Sequence, residues 1–472
     1  WLNDSPLANL PRQGGTLLAA GQAAAALGPA WGFRAVPTTD HRLQWAEPAR
    51  GLLAPGTFDP TTGLALTYQY GPKQLTGWWL APAPGTVWAR DPEGHARWVE
   101  RSLPGGGRLV LAGLPLAAEA ALGDSLQARL LLERAAVLAG LPRLWPTPDG
   151  KGAVLLNLHI DSKAHIPYLD GLLRHWPARL RATVHITAGP DCDRPGDGQG
   201  FAVDDPRRGG AYMARLAALG EIGSHGGWAH NYWATVAPHL PLPQRLDLLD
   251  RNFRALAPWG PVRTYSSPVG YHPPNINPWL ESHGVLGFYH TGEGGCPPTH
   301  AWFEGAPFGG SMWAFPVATF GAGAATYEFK REGLTQAQVA TWFSDLAHFC
   351  ATQREARLVY GHPVDFADMP EAYVQGLLAT VDRDVAQGAL ETWTLAEYAE
   401  FLNRREQVSW SLTTRGKACV LRAQGPLRNM AFRVPGRWHA QIPPGVDLRS
   451  EEAATWVVVR DSRNRLEVDL WP

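Results

Sequence analysis

The chain has 472 residues, about three times an average domain length, so two to four domains are expected. Its 42 basic and 43 acidic side chains leave a net charge of −1 and a pI near 7.1, and it has no basic tract to displace counterions from a phosphate backbone, which argues against a nucleic-acid partner. Gly, Pro or charge interrupts every apolar run short of the roughly 18 residues of a membrane span, while 21 Trp argue against disorder. The chain begins at Trp1 with no positively charged or apolar leader, which implies that a targeting segment has been removed or that the sequence is part of a longer one. Cys192, Cys296, Cys350 and Cys419 show no CxxC spacing, so they form neither a disulfide scaffold nor a cysteine zinc site; a single Cys192–Cys296 bridge is the pairing left open.

Three regions follow in chain order. In the first, residues 1–147, "GGTLLAAG" (Gly14–Gly21) reads as a Gly turn entering a short apolar strand, followed by an Ala-rich helix over Gln22–Leu27. "GGGRLVLAGLPL" (Gly105–Leu116) repeats the pattern. "SLQARLLLERAAVLAG" then predicts a helix over Ser125–Ala139, with Ser125 as N-cap and Gly140 as the stop. These two glycine-led strands resemble the flavodoxin-like domains related to class I glutamine amidotransferases. The resemblance implies a partial α/β layer of parallel strands, beginning in mid-domain, with Gly15–Gly21 beside Arg108–Gly113 and the helix packed across them. No Cys precedes Cys192, so the amidotransferase nucleophile is missing and the region is expected to dock or space rather than catalyse.

The second region, residues 148–407, follows the Pro-rich "LPRLWPTPDGKG". Apolar strands are predicted at Ala153–Ile160, Ala182–Ile186, Val262–Ser266, Val285–His290, Ser311–Phe315 and Leu358–Gly361, alternating with helical segments, which indicates an α/β fold. Thirteen of the 16 His lie between His159 and His362, a clustering that points to metal binding or catalysis. The third region, residues 408–472, switches to short alternating strands ("VSWSLTTRG", "ACVLRAQG", "NMAFRVPG", "ATWVVVRDS", "RLEVDLWP") and reads as a small all-β domain.

Four stretches of the middle region carry the chemistry. "LNLHIDSKAH" (Leu156–His165) runs a strand into a carboxylate, and "GEIGSHGGWAHNYW" (Gly220–Trp233) is a short strand followed by two His. "VRTYSSPVGYHPP" (Val262–Pro274) carries an Arg and a Pro-Gly loop, and "ARLVYGHPVDF" (Ala356–Phe366) ends a strand on a His. In this order they resemble the polysaccharide deacetylases of the NodB homology, or chitooligosaccharide deacetylase-like, superfamily, over a little more than half the chain. The resemblance implies a distorted (β/α) barrel and a divalent metal, Zn2+ by ligand type. It further implies removal of N-acetyl groups from an amino-sugar polysaccharide and an extracytoplasmic location.

Carried over residue by residue, the resemblance makes His225 and His230 metal ligands, with the third place open between Asp161 serving as ligand and base at once and help from His159. Asp161 is the general base, tuned by Arg263; His362 is the general acid; Tyr271, Trp313 and Phe315 form substrate contacts. Two departures stand out. The family spaces its two His by three residues, whereas His225 and His230 are separated by four, and Gly226 and Gly227 are placed to absorb the extra one. The family's first strand ends on two adjacent Asp, whereas "HIDSK" offers only Asp161, with Ser162 or Ile160 in the other place. The missing carboxylate leaves two alternatives to an N-deacetylase: a carbohydrate-binding protein that has lost catalysis, or a deacylase acting on an O-acyl ester.

Overall fold

The computed structural model describes residues 10–38, 44–45, 77–82, 85–91, 93–114, 116, 132, 136, 140–270, 272–292, 295–303, 306–320, 323–451 and 453–472. The middle region is a parallel sheet of β1 (Gly152–Ile160), β2 (Ala182–Ile186), β3 (Gly220–His225), β4 (Thr264–Ser266), β5 (Gly287–His290), β6 (Trp313–Pro316), β7 (Ala356–Gly361) and β8 (Leu390–Glu391). The order is β6-β5-β4-β3-β2-β1-β7, with β8 added on β1, and every pairing is parallel. Just past β6, a lone parallel bridge between Val317 and Leu358 ties the two edges together, and the Ala318 N–H donates to the Leu358 carbonyl at 2.8 Å. The sheet therefore curls into a distorted barrel with one thin seam.

The predicted strands recur with ends shifted by two residues at most. β1 is buried along its whole length, which explains why "GAVLLNLHI" reads as a nearly continuous apolar run rather than an alternating one. Helices such as Ile166–His175, Leu242–Leu256 and Gln336–Gln353 lie between the strands and lay apolar stripes on the sheet. No helix among the described residues is long and apolar enough to cross a membrane. Cys192, Cys296, Cys350 and Cys419 are all buried free thiols, so the Cys192–Cys296 bridge is not formed.

Residues beyond 408 form two four-stranded antiparallel sheets around Leu421, Phe432, Val457 and Val468, all shielded from solvent. Arg143–Leu144, from the segment before the barrel, pairs with Phe432 and Arg433 and completes one of these sheets. The first region contains a seven-stranded mixed sheet. Thr16–Ala20 runs parallel beside Arg108–Ala112, as the two glycine-led strands suggest, and Gly21–Leu27 is helical. The remaining pairings are antiparallel, which corrects the expected purely parallel, flavodoxin-like layer. The cause is local. Gly105 and Gly106 both take positive φ and turn Ala96–Ser102 directly back into Arg108–Ala112, and so short a connection permits only antiparallel pairing. The expected helix over Ser125–Ala139 falls outside the described residues.

Candidate metal centre

Side chains on a strand alternate faces, so Asn157, His159 and Asp161 all point to the barrel interior. The interior is a polar column rather than the branched apolar filling usual in such barrels. Asn157 donates from Nδ2 to the Thr183 carbonyl (3.0 Å) and to His185 Nδ1 (2.8 Å), and its Oδ1 lies 2.8 Å from His159 Nε2. His185 Nε2 reaches Thr264 Oγ1 at 3.1 Å, and Thr264 donates to Glu221 (2.7 Å). Each bond fixes the tautomer of the next ring. His159 is thereby oriented through the Asn157 amide at the upper end of the column, directly beneath Asp161.

Asp161 leaves the carboxyl end of β1, and His225 closes β3. Between the two histidines, Gly226 takes φ +65°, where a Cβ would stand 2.6 Å from Pro268 Cδ, and a Cβ at Gly227 would stand 2.5 Å from Trp233 Cε3. The two glycines thus take up the extra residue, and His230 begins the helix His230–Thr235 with its ring turned back toward His225. Nε2 of His230 lies 3.1 Å from Nε2 of His225, and Asp161 Oδ1 lies 3.3 Å from the first nitrogen's partner on His225 and 3.6 Å from that of His230.

These three atoms fit a divalent cation. Ligands held at 2.0–2.2 Å from a common tetrahedral centre stand roughly 3.3–3.6 Å apart, close to the 3.1, 3.3 and 3.6 Å seen here. His230 Nδ1 donates to Asn231 Oδ1 (2.7 Å), whose orientation is set by Asn231 Nδ2 donating to Asp193 (2.6 Å); the lone pair on Nε2 is therefore aimed at the other two ligands. Asp161 Oδ1 is buried without a hydrogen-bond donor of good geometry among the described residues. One other cluster with ligand-like spacing exists among the described residues, Asp91, Glu93 and His95, but there Asp91 is already engaged by the His95 ring and backbone N–H within a hairpin turn.

On the other side of Asp161 stands His362, the N-cap of the helix Pro363–Asp368. Asp365 Oδ2 accepts from both the backbone N–H (2.6 Å) and the ring Nδ1 (3.1 Å) of His362, which leaves Nε2 facing Asp161 Oδ2 at 3.6 Å. The two carboxylate oxygens of Asp161 thus serve different partners: Oδ1 the histidine pair, Oδ2 the His362 side. The cleft around them measures about 420 Å³ and is lined further by His165, Ser267, Val269, Gly270, Tyr289, Tyr327 and Tyr360.

Burial dominates the electrostatics. Loss of water pulls His225 down to about 4, outweighing the attraction of Asp161, and burial holds His159 well below the ordinary imidazole range, helped by His225. Burial also works against charge on Asp161 and His362, but their partners prevail. His230 and His362 hold the Asp161 carboxyl well below its usual value, while Asp161 and Asp365 raise His362 to about 9. For Asp365, hydrogen bonding and charge from His362 overcome burial and keep the carboxyl low.

The structure brings Asp161, His225, His230 and His362 together, but not the other expected residues. Arg263 precedes β4, at the amino ends of the strands, and pairs with Glu400 instead of Asp161; the cleft lies at the opposite, carboxyl ends. Trp313 opens β6 at that same far end, stacked 3.9 Å from the ring of His300 and donating to Asn403 (2.7 Å). Phe315 is fully buried against Tyr398. Both are core aromatics outside the cleft. Tyr271 lies outside the described residues, and the neighbouring Gly270 N–H is used within its own loop by the Ser267 carbonyl (3.0 Å). Sequence reasoning overlooked His165, Tyr289 and Tyr360. Tyr360 shares a strand face with His362, an alternation visible in the sequence; nothing local marks Tyr289.

No family model matches the chain, and no curated protein does. Among solved structures, a Mycobacterium smegmatis protein assigned as a polysaccharide deacetylase is 16% identical with a TM-score of 0.41, covering 58% of this chain and 97% of that one. The 4-alpha-glucanotransferase of Thermococcus litoralis is 12% identical with a TM-score of 0.36, covering 53% and 40%. The peptidoglycan deacetylase PdaC of Bacillus subtilis is 12% identical with a TM-score of 0.30, covering 55% and 96%. Likenesses this distant carry no functional weight.

Proposed function

We propose that this chain is a metal-dependent hydrolase that removes N-acetyl groups from an amino-sugar polysaccharide. The observation that carries the reading is the convergence of Asp161 Oδ1, His225 Nε2 and His230 Nε2 at 3.1–3.6 Å, with His362 Nε2 across the same carboxylate. A divalent cation such as Zn2+ held by those three atoms would supply Lewis acidity to an acyl carbonyl and acidify a water. The chain's own residues do the rest. Asp161 holds one oxygen toward the ligand nitrogens and offers the other as a proton acceptor. His362, oriented by Asp365 at Nδ1, presents Nε2 to the leaving amine and donates a proton there. Val269 and Tyr327, 67% and 59% exposed at the rim, offer apolar area suited to the face of a sugar ring.

One observation favours a second reading. The position before Asp161 is Ile160, which is fully buried, so no second carboxylate is available as a separate base. An O-acyl ester has a better leaving group and needs less proton transfer, so ester hydrolysis suits a site with a single carboxylate. The test is acetate release by the zinc-loaded chain from N-acetylglucosamine oligomers and from O-acetylated xylan, with bound metal measured in parallel. Release from the oligomers, lost together with metal in the His225→Ala/His230→Ala variant, is expected. Stoichiometric metal in that variant would overturn the assignment, and release from the xylan alone would select the ester reading.

A further inference from the structure

His165 sits four residues beyond Asp161, in the turn Lys163–His165, with its ring in the cleft and nine-tenths buried. Its Nδ1 accepts a hydrogen bond from the backbone N–H of Asp161 at 3.2 Å. A backbone amide can only donate, so Nδ1 must carry its lone pair and the single ring proton must reside on Nε2. No hydrogen bond to the Nε2–H is formed among the described residues, and the Asp161 carboxylate oxygen Oδ2 is 3.9 Å away, beyond hydrogen-bond reach. That oxygen is the one that also faces His362 Nε2, at 3.6 Å, whereas the ligand nitrogens face Oδ1. The ring centroids of His165 and His362 lie 5.4 Å apart. The cleft therefore contains a second imidazole on the leaving-group side, with an unused donor whose tautomer is set by the backbone.

Resting on the hydrolase reading above, we infer that His165 is a specificity-determining hydrogen-bond donor, whose Nε2–H binds a hydroxyl of the substrate sugar next to the scissile acetamido group. A neutral donor suits this task, since a sugar hydroxyl accepts as readily as it donates. It differs from His362 in kind: Asp365 claims the Nδ1 proton of His362 and leaves Nε2 to exchange protons, whereas the Asp161 amide bars His165 from taking a second proton without breaking that bond. The inference also accounts for the placement of the ring, because the turn that follows β1 delivers it to the cleft at the cost of no strand position.

Two measurements test it. Nitrogen-15 NMR of the histidine-labelled full chain at pH 7, with His165 assigned by its loss in His165→Gln, should show Nδ1 bare and Nε2 protonated. On adding the N-acetylglucosamine trimer, the Nε2–H signal should move. The opposite tautomer, or a signal indifferent to the trimer, overturns the inference whether or not the chain proves to be a deacetylase. In kinetics, His165→Phe should lower the rate ratio between the trimer and 4-nitrophenyl acetate, which has no sugar hydroxyl, roughly 10- to 100-fold, the usual effect of losing one hydrogen bond to substrate. His165→Gln, which keeps a donor near the Nε2 position, should restore much of the ratio. An unchanged ratio with an active parent defeats the inference alone; a parent inactive on both probes defeats the hydrolase reading, and the NMR result still decides the role of His165.

Discussion

At the scale of single residues, the two oxygens of the Asp161 carboxylate face different partners, and the proposed function gives each a separate task. This arrangement makes different variants separable. Asp161→Asn should lose both metal and turnover, because the amide is a poor ligand and cannot accept a proton. His362→Ala should keep stoichiometric metal while turnover falls on the order of 10²–10⁴-fold, the usual worth of a positioned acid. Metal content and initial rates, measured on the same preparations, check both. Full metal occupancy in Asp161→Asn would remove that residue from the ligand set. The meeting of Asp161, His225, His230 and His362 in one cleft was legible in the sequence, because each ends or follows a strand within a recognisable order of motifs. A motif gives a residue's strand but not which end of it faces the cleft, which misplaced Arg263 and Trp313, nor which face it takes, which misplaced Phe315, packed against Tyr398. Arg263 and Trp313 belong to the amino ends, where Glu400 and Asn403 of the helix Leu395–Glu406 meet them. His165 was hidden because a lone His in a turn carries no pattern of its own.

At the scale of elements, the loop joining β3 to the helix His230–Thr235 determines whether the two imidazoles meet. Gly226 is left-handed and packed against Pro268 and Trp233, and its N–H donates to the Ser266 carbonyl at 2.7 Å. Gly226→Ala should therefore cost about 1–2 kcal/mol from backbone conformation alone, and more from the close approach to Pro268. The displaced loop should weaken zinc binding roughly 10- to 100-fold, as losing an orienting contact does. Thermal unfolding and a zinc titration read the two effects; native affinity in this variant would mean that the loop adapts freely. The two glycines in "GGWA" could be read in advance as the device that absorbs one extra residue. The mixed sheet of the first region could not be read in the same way, because apolar strands of similar composition serve parallel and antiparallel neighbours, and only the tight Gly105–Gly106 turn distinguishes them.

At the scale of the whole molecule, buried neutral imidazoles should govern the acid response of the metal-free chain. Burial depresses His165, His225 and His272 to about 4 and His290 to about 3, whereas unfolding returns each to an ordinary value near 6.5. Between those limits the unfolded chain binds more protons, so stability falls as pH drops from about 6.5 to 4. His362 acts in the opposite sense: raised to about 9, its contribution is complete below about 6.5 and is lost as pH climbs through 9. The thermal midpoint should therefore be highest between these ranges. His290 offers a clean probe, since neither ring nitrogen has a hydrogen-bond partner among the described residues and its neighbours include Phe288 and Phe308. His290→Phe should raise stability at pH 7 by about 1 kcal/mol and flatten the acid limb; melts recorded from pH 4.5 to 8 that show the parent's slope would refute this. The seam of the barrel has a bearing on how the cleft moves. Asp161, His225 and His362 all ride on the unbroken run β7-β1-β2-β3, where full ladders fix one strand against the next. The lone Val317–Leu358 bridge instead adjoins the stretch that leads to Tyr327 at the rim. Breathing is thus cheapest beside the rim, and stiffest along the strands that bring Asp161, His225 and His362 together.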